Sequence, residues 1–496
     1  MEGFEVKDIL AEIAPTPPKK DVELIIRAYN FALKAHQDQK RNSGDPYFIH
    51  VFETAKNLAR YEMDATTIAA GFLHDVLEDT ACTEEELTAE FGPEIVELVK
   101  GVTKLGHVKY KGSIRHVESL RKFLMALAQD YRVLMIKLAD RLHNLRTLEH
   151  VRPDKQKRIA LESIEVYAPL ADRLGIGRLK GEIEDAAFPF AYPEEAKETQ
   201  ALLDERSALI KKSLASVYEE LTNELSGTYI RVKKIDWRIK HVYSLWKKLQ
   251  KQKGKDKETI DTIYDIAAIR IIVETVEECY AVLGIVHSLW KPLPTRIKDF
   301  IALPKLNGYQ SLHTTVFTGV GGLVEIQIRT VEMHSRAEYG IASHYQYKEK
   351  TRDAQNDPKF QWVSEFKNLG KTVTEPEDFL SHLKSDFFND RIFVFTPVGE
   401  VVDLPKDSST IDLAYAIHSD IGNHMSGARV NGKFVALDTK LHSSDIVEIE
   451  TRKDAKPKGK WLDYVKTSAA KKHIRAFMKE EDDKSIFKRF LPQKFR

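Results

Sequence analysis

The stretch GFLHDVLEDT, residues 71–80, sets four ionisable side chains into an otherwise apolar segment. His74 and Asp75 are adjacent, and Glu78 and Asp79 follow one helical turn later. Because residues i, i+3 and i+4 share a face of a helix, these groups gather on one side. Burying them is costly unless their charge is compensated, and a divalent metal is the natural compensator. The stretch therefore predicts a metal centre within a helical fold.

Two further residues could complete such a centre. His50 lies in PYFIHVFETA, residues 46–55, and Asp140 lies in KLADRLHNLRTL, residues 137–148, with Asn144 one turn beyond it. Mixed imidazole and carboxylate ligands suit Mn²⁺, Fe²⁺ or Zn²⁺. An isolated His-Asp pair is explained more simply by a buried hydrogen bond, and it is the full set that favours a metal. The basic side chains around the third ligand could hold phosphates or form a solvated helix face, and they belong to Lys137, Arg141 and Arg146.

The rest of the N-terminal half extends this pattern. Residues 1–195 predict helix after helix, because apolar positions recur at helical spacing and strand-like alternation is rare. Residues 196–345 begin with a helical segment and continue with two strands rich in Ile and Val, TIYDIAAIRIIV and GGLVEIQIRT, on either side of the helix CYAVLGIVHSLW. This order is typical of an α+β domain.

The C-terminal part has a different composition. Residues 346–388 are polar and predict a linker. Residues 389–451 alternate short strands with turns around one helix that we expect to end at Gly422, a pattern that fits a ubiquitin-like β-grasp module. Residues 452–496 hold 15 Lys and Arg against 6 Asp and Glu, so they could contact RNA phosphates or form a solvated end.

Length and composition narrow the class of protein. The 496 residues suggest about three domains. Because 76 Lys and Arg balance 75 Asp and Glu, any nucleic-acid contact requires a local basic patch. The two cysteines form no Cys-x-x-Cys pair, which excludes zinc-ribbon and thioredoxin motifs. The N-terminus is unlike a signal peptide and no apolar run is long enough to span a membrane, so we expect a cytoplasmic protein with no membrane partner.

A second group of residues predicts phosphate chemistry. Residues 231–255 contain ten Lys and Arg and one acid, interleaved with Tyr243 and Trp246, and this mixture suits a nucleotide with several phosphates as well as a solvated surface. On the second strand, alternation gathers polar side chains on one face, which carries Glu325. Asp265, before the first strand, could join it in holding Mg²⁺ with phosphate oxygens. The sequence contains no Walker A motif, which argues against P-loop chemistry.

Residues 25–150, within the all-α domain predicted at residues 1–195, resemble an HD-type phosphohydrolase, and more narrowly the hydrolase domain of the RelA/SpoT family of (p)ppGpp enzymes. The matching segments are RNSGDPYFIH, HDVLEDT, GVTKL and KLADRLHNLRTL. The resemblance implies hydrolysis of (p)ppGpp to GDP or GTP and pyrophosphate, with Mn²⁺ held by His50, His74, Asp75 and Asp140. It further implies that Glu78 and Asp79 position or activate the water, and that the nucleotide is bound by Arg41 and Asn144.

Residues 196–345 resemble the same family's α+β synthetase domain, which has a nucleotidyltransferase-like fold. The matching segments are YDIAAIR, CYAVLGIVHSLW, RIKDFIALPKLNGYQSLHTTV and EIQIRTVEMHSRAEYGIASHYQYK. The resemblance implies Mg²⁺-dependent transfer of the β,γ-pyrophosphate of ATP to the 3′-hydroxyl of GDP or GTP. Asp265 and Glu325 match the family's catalytic positions, and Asp265 also matches a metal ligand. Tyr309 matches the residue that stacks on the acceptor guanine. Further nucleotide or phosphate contacts are implied for Arg238, Lys240, Ser244, Lys248, Lys298, Lys305, Asn307, His313 and Gln327.

Two segments bear on the balance between the activities. RIKD, residues 296–299, matches the R-x-K-D pattern of bifunctional family members, whereas synthetase-only members carry an acidic version. Where the family commonly has G-R-P-K, this chain has Trp237, Arg238, Ile239 and Lys240. The charged pair is kept but the Gly and Pro are not, so the bulky Trp237 could reshape the loop that holds ATP, and the effect of Trp237 and Ile239 on synthesis stays open.

The C-terminal motifs FVFTPVGEVVDLP and AYAIHSDIGNHMSGARVNG, within residues 389–451, resemble the family's β-grasp TGS domain, and residues 452–496 resemble the start of its basic helical region. In ribosome-bound members the TGS domain contacts deacylated tRNA. The resemblance thus implies tRNA and the ribosome as partners and an RNA contact for His418, with a helix-surface histidine as the alternative. Longer members continue into regulatory modules, including an ACT domain, that this sequence lacks, so the chain is either naturally short or truncated.

Three hypotheses follow from the sequence. The first is a bifunctional enzyme that makes and destroys (p)ppGpp in the stringent response. The second is a hydrolase whose synthetase domain is weak or only senses nucleotide, and the third is a tRNA- or ribosome-binding regulator with vestigial catalysis. The sequence leaves open the preference for GDP or GTP, the default state of each activity and the oligomeric state.

Overall fold

The computed structural model describes residues 4–13, 16–106, 130–252, 267–305, 307–319, 322–340 and 391–490. These residues form two compact units, a larger one with the described residues up to 340 and a smaller one with residues 391–490. The linker predicted at residues 346–388 and Asp265 lie outside the described residues. We find no helix in the described ranges whose length and apolar character would let it cross a membrane.

The first part of the larger unit is helical, as predicted. Short polar side chains start several helices: Asp64 accepts a hydrogen bond from the backbone of Thr67, and Thr83 and Glu86 form a capping box. A π-helical turn at Ser163–Tyr167 joins the ninth and tenth helices. The helices are α1 Val6–Leu10, α2 Lys19–Ala35, α3 Phe48–Arg60, α4 Ala65–Leu73, α5 Val76–Asp79, α6 Glu84–Phe91, α7 Pro93–Gly106, α8 Tyr131–Arg146, α9 Pro153–Glu162, α10 Ala168–Arg173, α11 Gly177–Ala191 and α12 Pro193–Ser226.

Aromatic side chains between α2, α3 and α4 form the core of this helical part. Tyr29 meets Phe48, Phe52 and Phe72 edge to face, with ring centroids 5.1, 6.3 and 5.8 Å away. This packing holds α3 and the end of α4 beside α8. The three helices carry most of the residues predicted to form the metal centre.

A six-stranded sheet forms the second part of the larger unit. The strands lie in the order β1-β2-β6-β5-β3, with β4 also paired to β5, and only β2 and β6 run parallel to each other. The helices α13 Val242–Gln252, α14 Val276–Leu289 and α15 Val331–Tyr339 complete the predicted α+β fold. The strands are β1 Lys234–Ile239, β2 Ala267–Val273, β3 Lys291–Pro292, β4 Lys298–Asp299, β5 Leu312–Phe317 and β6 Leu323–Thr330.

The two faces of this sheet differ, as strand alternation predicts. Ile269 of β2 and Ile326 of β6 are fully buried in the apolar core on one face, which α14 covers. On the other face the register sets Glu325 opposite Ala268 on β2 and opposite Thr315 on β5. Polar side chains from neighbouring strands therefore share one surface of the sheet.

The aromatic residues of α13 pack inside the protein. Tyr243 and Trp246 meet Phe188 of α11, with ring centroids 5.3 and 5.2 Å away, and Trp246 also meets Tyr192 at 4.8 Å. Asp185 of α11 accepts a hydrogen bond from the backbone N–H of Tyr243 at 3.1 Å, near the start of α13. The interpretation of these two aromatic residues as nucleotide contacts was wrong, since they join the sheet part to the helical part.

The smaller unit has the strands and the helix of the predicted β-grasp fold. A hairpin of β7 and β8 lies beside a three-stranded sheet in the order β10-β9-β11, and a bridge joins Phe395 to Ile446. The expected helix end at Gly422 was wrong: α16 ends at Ile417, and Gly422 lies inside the next helix against the ring of Tyr415. The elements are β7 Arg391–Phe395, β8 Val401–Pro405, α16 Thr410–Ile417, α17 Ser419–Asn423, β9 Met425–Val430, β10 Lys433–Val435, β11 Val447–Thr451, α18 Trp461–Tyr464 and α19 Ser468–Phe490.

Candidate active sites

Two imidazoles and two carboxylates converge where α3, α4 and α8 meet. His50 Nε2 lies 3.4 Å from Asp75 Oδ2 and 3.3 Å from Asp140 Oδ1. His74 Nε2 lies 3.1 Å from Asp75 Oδ2. Ligand atoms of His50, His74 and Asp140 all lie within 4.8 Å of one another. The structure thus brings together all four residues predicted to hold a metal, and we refer to them as the helical site.

The hydrogen bonds of His74 determine which nitrogen faces this site. His74 Nδ1 lies 2.8 Å from the carbonyl oxygen of Gly71, which can only accept, so Nδ1 carries a proton. His74 Nε2 is buried and faces Asp75 Oδ2, 3.1 Å away. Burial lowers the pKa of His74, but Asp75 and Asp140 outweigh this effect and raise it to about 9. Two imidazole nitrogens and two carboxylates turned towards one point fit a divalent transition metal, which would take the place of the proton on His74 Nε2.

The two carboxylates of the helical site stay ionised. Burial alone would raise their pKa values. The neighbouring histidines, with Lys137 in the case of Asp140, nevertheless hold the pKa of Asp75 and of Asp140 well below the usual range. Lys137 Nζ lies 2.7 Å from Asp140 Oδ2, so the other oxygen, Oδ1, faces His50.

Arg141 and Arg146 both contact carboxylates of the protein, and Arg146 lies exposed on its helix, as the alternative of a solvated face predicted. The Arg141 guanidinium lies 4.2 Å from the centroid of the Tyr167 ring and 3.5 Å from Glu162 Oε2. Arg146 NH2 lies 2.6 Å from Glu182 Oε2. Both side chains pair with carboxylates of the protein, which spacing along one helix could not reveal.

Tyr47 is a candidate functional residue that the sequence analysis missed. Its Oη lies 2.7 Å from Asp75 Oδ2 and 2.8 Å from Asp79 Oδ2. A phenol has one proton, so Tyr47 donates to one carboxylate at a time and links a predicted metal ligand to a predicted water-activating residue. Glu78 precedes Asp79 in the short helix α5. The available signal was the position of Tyr47 three residues before His50, one turn away.

Arg41 contacts the C-terminal end of α8. Its NH1 lies 3.1 Å from His143 Nδ1, and its NH2 donates to Asn144 Oδ1 at 2.5 Å. Asn144 Nδ2 donates in turn to Asp140 Oδ1. Burial, with the charges of His50 and Arg41, lowers the pKa of His143 to about 3, so this ring is neutral. The sequence analysis did not select His143, although it lies between Asp140 and Asn144 in the motif.

On the polar face of the sheet, a hydrogen-bonded chain joins four of the predicted residues. Tyr309 Oη lies 2.7 Å from His313 Nε2, and His313 Nδ1 lies 2.9 Å from Glu325 Oε1. Gln327 Nε2 donates to the same oxygen at 3.0 Å. Burial would raise the pKa of Glu325, but His313 and Gln327 outweigh it and lower the pKa to about 2. Glu325 is therefore an ionised carboxylate, and we refer to this face as the sheet site.

Cations crowd around this carboxylate. Burial and the charges of Lys240, Arg296 and Lys298 lower the pKa of Lys248 to about 8, although Glu325 opposes the change. Burial likewise lowers the pKa of Lys240. Lys298 pairs in register with His313 across β4 and β5. The local excess of positive charge fits a ligand with several phosphates.

The loop after β4 adds an aromatic wall to the sheet site. Lys305 Nζ lies 4.7 Å from the ring centroid of Phe300 and 4.9 Å from that of Tyr309. Asn307 Nδ2 donates to the backbone oxygen of Asp172 at 3.1 Å, and its Oδ1 accepts from the backbone N–H of Tyr309 at 3.2 Å. Asn307 therefore fixes the loop against the helical part. Phe300 was not predicted, although it follows RIKD directly.

Trp237 and Arg238 project to opposite faces of β1. Trp237 pairs in register with Ile269, on the apolar face, whereas Arg238 pairs with Ala268, beside Glu325 on the polar face. The expectation that Trp237 reshapes a loop was wrong, because this segment is a strand and its indole, 41% exposed, lies on the face away from Glu325.

Three predicted residues have not yet been placed. Ser244 lies in the first turn of α13, and Asp265 lies outside the described residues. In the smaller unit, the exposed His418 accepts a hydrogen bond at Nδ1 from the backbone N–H of Asp420, 3.2 Å away, and so caps α17. An RNA contact for His418 stays a prediction.

Three stretches of the chain match known family models. Residues 28–177 match an HD domain, residues 237–352 match the region found in RelA and SpoT proteins, and residues 392–451 match a TGS domain. The chain is 46% identical over 461 residues to a guanosine-3′,5′-bis(diphosphate) 3′-pyrophosphohydrolase of Aquifex aeolicus, covering 93% of this chain and 65% of that protein. It is 45% identical over 475 residues to a GTP pyrophosphokinase of Myxococcus xanthus, covering 95% and 62%.

A further relative is the bifunctional (p)ppGpp synthase/hydrolase SpoT of Escherichia coli. It is 40% identical over 480 residues, which cover 96% of this chain and 68% of that protein. The chain thus spans less than two thirds of the length of the Aquifex and Myxococcus relatives, and 68% of the length of the Escherichia coli protein.

Proposed function

The chain belongs to the RelA/SpoT family, and we propose that it is a bifunctional alarmone enzyme of the stringent response in the cytoplasm. At the helical site it hydrolyses (p)ppGpp to GDP or GTP and pyrophosphate. At the sheet site it transfers the β,γ-pyrophosphate of ATP to the 3′-hydroxyl of GDP or GTP. The observation that carries the proposal is the opposite charge of the two sites: one fits a divalent cation, and the other fits a polyphosphate.

In the hydrolase reaction, His50, His74, Asp75 and Asp140 would hold Mn²⁺. Such a metal supplies a water that is nucleophilic near neutral pH and offsets charge on the leaving group. The water oxygen attacks the phosphorus bonded to the 3′ oxygen, that bond breaks, and pyrophosphate departs. Asp79, held by Tyr47, or its neighbour Glu78 takes the proton from the water and returns it to the 3′ oxygen.

In the synthetase reaction, Glu325 accepts the proton of the acceptor 3′-hydroxyl as this oxygen attacks the β-phosphorus of ATP and AMP leaves. The low pKa of Glu325 keeps it ionised, which suits holding Mg²⁺ together with phosphate oxygens. Lys240, Lys248 and Arg238 offset the charge of the triphosphate. Tyr309 stacks on the acceptor guanine, and its loop position is fixed by Asn307.

The experiment that tests the proposal uses a His74→Ala variant, so that any product persists. The variant is incubated with Mg²⁺, ATP and GDP or GTP, and the nucleotides are separated by anion exchange. We expect ppGpp or pppGpp with a matching amount of AMP. The wild-type chain with Mn²⁺ should then convert purified ppGpp to GDP and pyrophosphate. A chain that does neither would refute the proposal.

The hypothesis of a weak or sensory synthetase rested on Trp237 and Ile239, which strand alternation places on the face of β1 away from Glu325. The part of the sheet site that the structure describes offers no observation in its favour, and similar rates of synthesis and hydrolysis would exclude it. A regulator with vestigial catalysis would require that Asp140→Ala leaves the cellular phenotype unchanged. We further propose deacylated tRNA and the ribosome as partners of the TGS domain, because His418 is exposed there.

A further inference from the structure

A chain of side chains runs from Arg41 to the helical site. His143 Nδ1 lies 3.1 Å from Arg41 NH1 and 2.8 Å from His50 Nδ1. A guanidinium can only donate, so His143 Nδ1 accepts, and His50 Nδ1 must then carry a proton to donate to it. A neutral His50 therefore presents the lone pair of Nε2 towards Asp75 and Asp140, 3.4 and 3.3 Å away.

We propose that His143 is a positioning residue through which Arg41 sets the tautomer of His50, and hence the affinity of the helical site for its divalent metal. The inference rests on the proposed hydrolase function. Metal-binding histidines usually have the second ring nitrogen held by a carboxylate, a carbonyl or water. Here the group that holds it is another histidine, whose role as acceptor is imposed by an arginine predicted to bind the nucleotide.

A parallel connection runs through the next residue of α8. Arg41 NH2 donates to Asn144 Oδ1, and Asn144 Nδ2 donates to Asp140 Oδ1. The guanidinium thus reaches two predicted metal ligands, each through one intervening side chain. It is further held by Thr147 Oγ1, 3.3 Å from NH1. His143 is only 5% exposed, which keeps bulk water from replacing its Nδ1 as the acceptor.

This arrangement couples two ligands of one reaction. A phosphate that draws Arg41 away from His143 removes the group that enforces the His50 tautomer. Nucleotide binding then changes metal affinity, and by thermodynamic necessity the metal changes nucleotide affinity by the same factor.

The test measures Mn²⁺ binding to the full chain, without nucleotide, from the electron paramagnetic resonance of unbound Mn²⁺. Asp140→Asn, which removes a ligand, gives the baseline for this site. His143→Leu removes the acceptor, whereas His143→Asn places an amide oxygen near the position of Nδ1. His287→Leu makes the same change in α14, where the ring contacts Thr314 at 2.8 Å, and serves as the matched control.

His143→Leu should weaken Mn²⁺ binding about 10- to 100-fold, as loss of an outer partner of a metal ligand does. His143→Asn should restore most of the affinity, and His287→Leu should have wild-type affinity. Arg41→Met should also weaken binding, but in the His143→Leu background it should add less than it does alone, because only the connection through Asn144 is then left to break.

A folded His143→Leu variant with wild-type Mn²⁺ affinity would overturn the inference, as would additive effects in the double variant. If His143→Leu does not fold, Arg41→Met is compared with Arg41→Lys, which keeps a donor, and equal affinities would overturn it. Failure of the proposed function is a different result: the wild-type chain would not hydrolyse ppGpp, and Asp140→Asn would remove no Mn²⁺ binding.

Discussion

The helical site and the sheet site balance buried charge in opposite ways. At the helical site, Asp75 and Asp140 stay ionised beside two imidazoles, and the pKa of His74 rises to about 9. At the sheet site, several cations surround Glu325, and the pKa of Lys248 falls to about 8. Each shift reports the sign of the charge that the site would accept: positive in the first and negative in the second.

The difference between the sites follows from the elements that build them. The helical site takes His50 from α3, His74 and Asp75 from the junction of α4 and α5, and Asp140 from α8, so packed helices gather nitrogen and oxygen atoms at a point small enough for one ion. A sheet offers a row of side chains every second residue across neighbouring strands. Such a row suits an extended triphosphate better than a single ion. If this comparison holds, each site can be disabled without the other.

The largest effect should come from Asp140→Asn. The amide keeps the volume but removes a ligand charge from the helical site, and we expect hydrolysis of ppGpp to fall by at least about 10³-fold. Synthesis from ATP and GDP should stay within about twofold, because Asp140 is not part of the sheet site. Initial rates of both reactions measure this.

Thermal melting is the control for Asp140→Asn, since Lys137 Nζ lies 2.7 Å from the removed carboxylate. The amide oxygen can still accept from this lysine, so the variant should fold. A folded variant in which both activities fall together would contradict the separation of the sites.

The reciprocal variant is Glu325→Gln, and its effect should be nearly as large. Loss of the carboxylate that accepts the 3′-hydroxyl proton should lower kcat of synthesis by about 10²–10⁴-fold. Hydrolysis should not change. Gln327→Glu is a useful companion variant, because it keeps Glu325 and adds a second carboxylate beside it on the same face. Wild-type synthesis by Glu325→Gln would exclude this residue as the base.

The sequence predicted the residues of both sites better than it predicted the side chains that contact them. His74, Asp75 and Asp140 follow from residue type, although a break between α4 and α5 replaces the single helix that the spacing predicted for residues 71–80. The polar face that carries Glu325 follows from strand alternation. His143 was not predicted, because its role depends on a contact with His50, which is 93 residues away in the chain. For the same reason, the composition around Trp246 suggested a nucleotide contact, whereas its ring packs against Phe188 and Tyr192, more than 50 residues earlier in the chain.

The next prediction concerns pH and separates the sites by the sign of their charge. Burial and neighbouring cations place the pKa of Lys248 at about 8, so its positive charge is present below this pH and lost above it. The KM for ATP should therefore rise about tenfold between pH 7 and pH 9. Lys248→Arg, which stays charged, should flatten this rise.

Calorimetry gives an independent check on Lys248. Bound phosphates favour the charged lysine, so ATP binding near pH 8 should take up about half a proton, as titrations in buffers of different ionisation enthalpy will show. The KM for ppGpp in hydrolysis should not follow the same profile. Proton release on ATP binding would contradict the expected protonation of Lys248.

The smallest effect should come from Trp237→Gly, which restores the residue common in the family. The indole lies on the face away from Glu325, so synthesis should change by less than about threefold, and the main cost should be about 0.5–1 kcal/mol of stability for a glycine within a strand. Arg238→Ala, one residue further but on the polar face, should raise the KM for ATP by about tenfold or more. The pair tests strand alternation directly, because only one side chain of the two reaches the sheet site. A large gain in synthesis by Trp237→Gly would restore the hypothesis of a weakened synthetase and would contradict the orientation of β1.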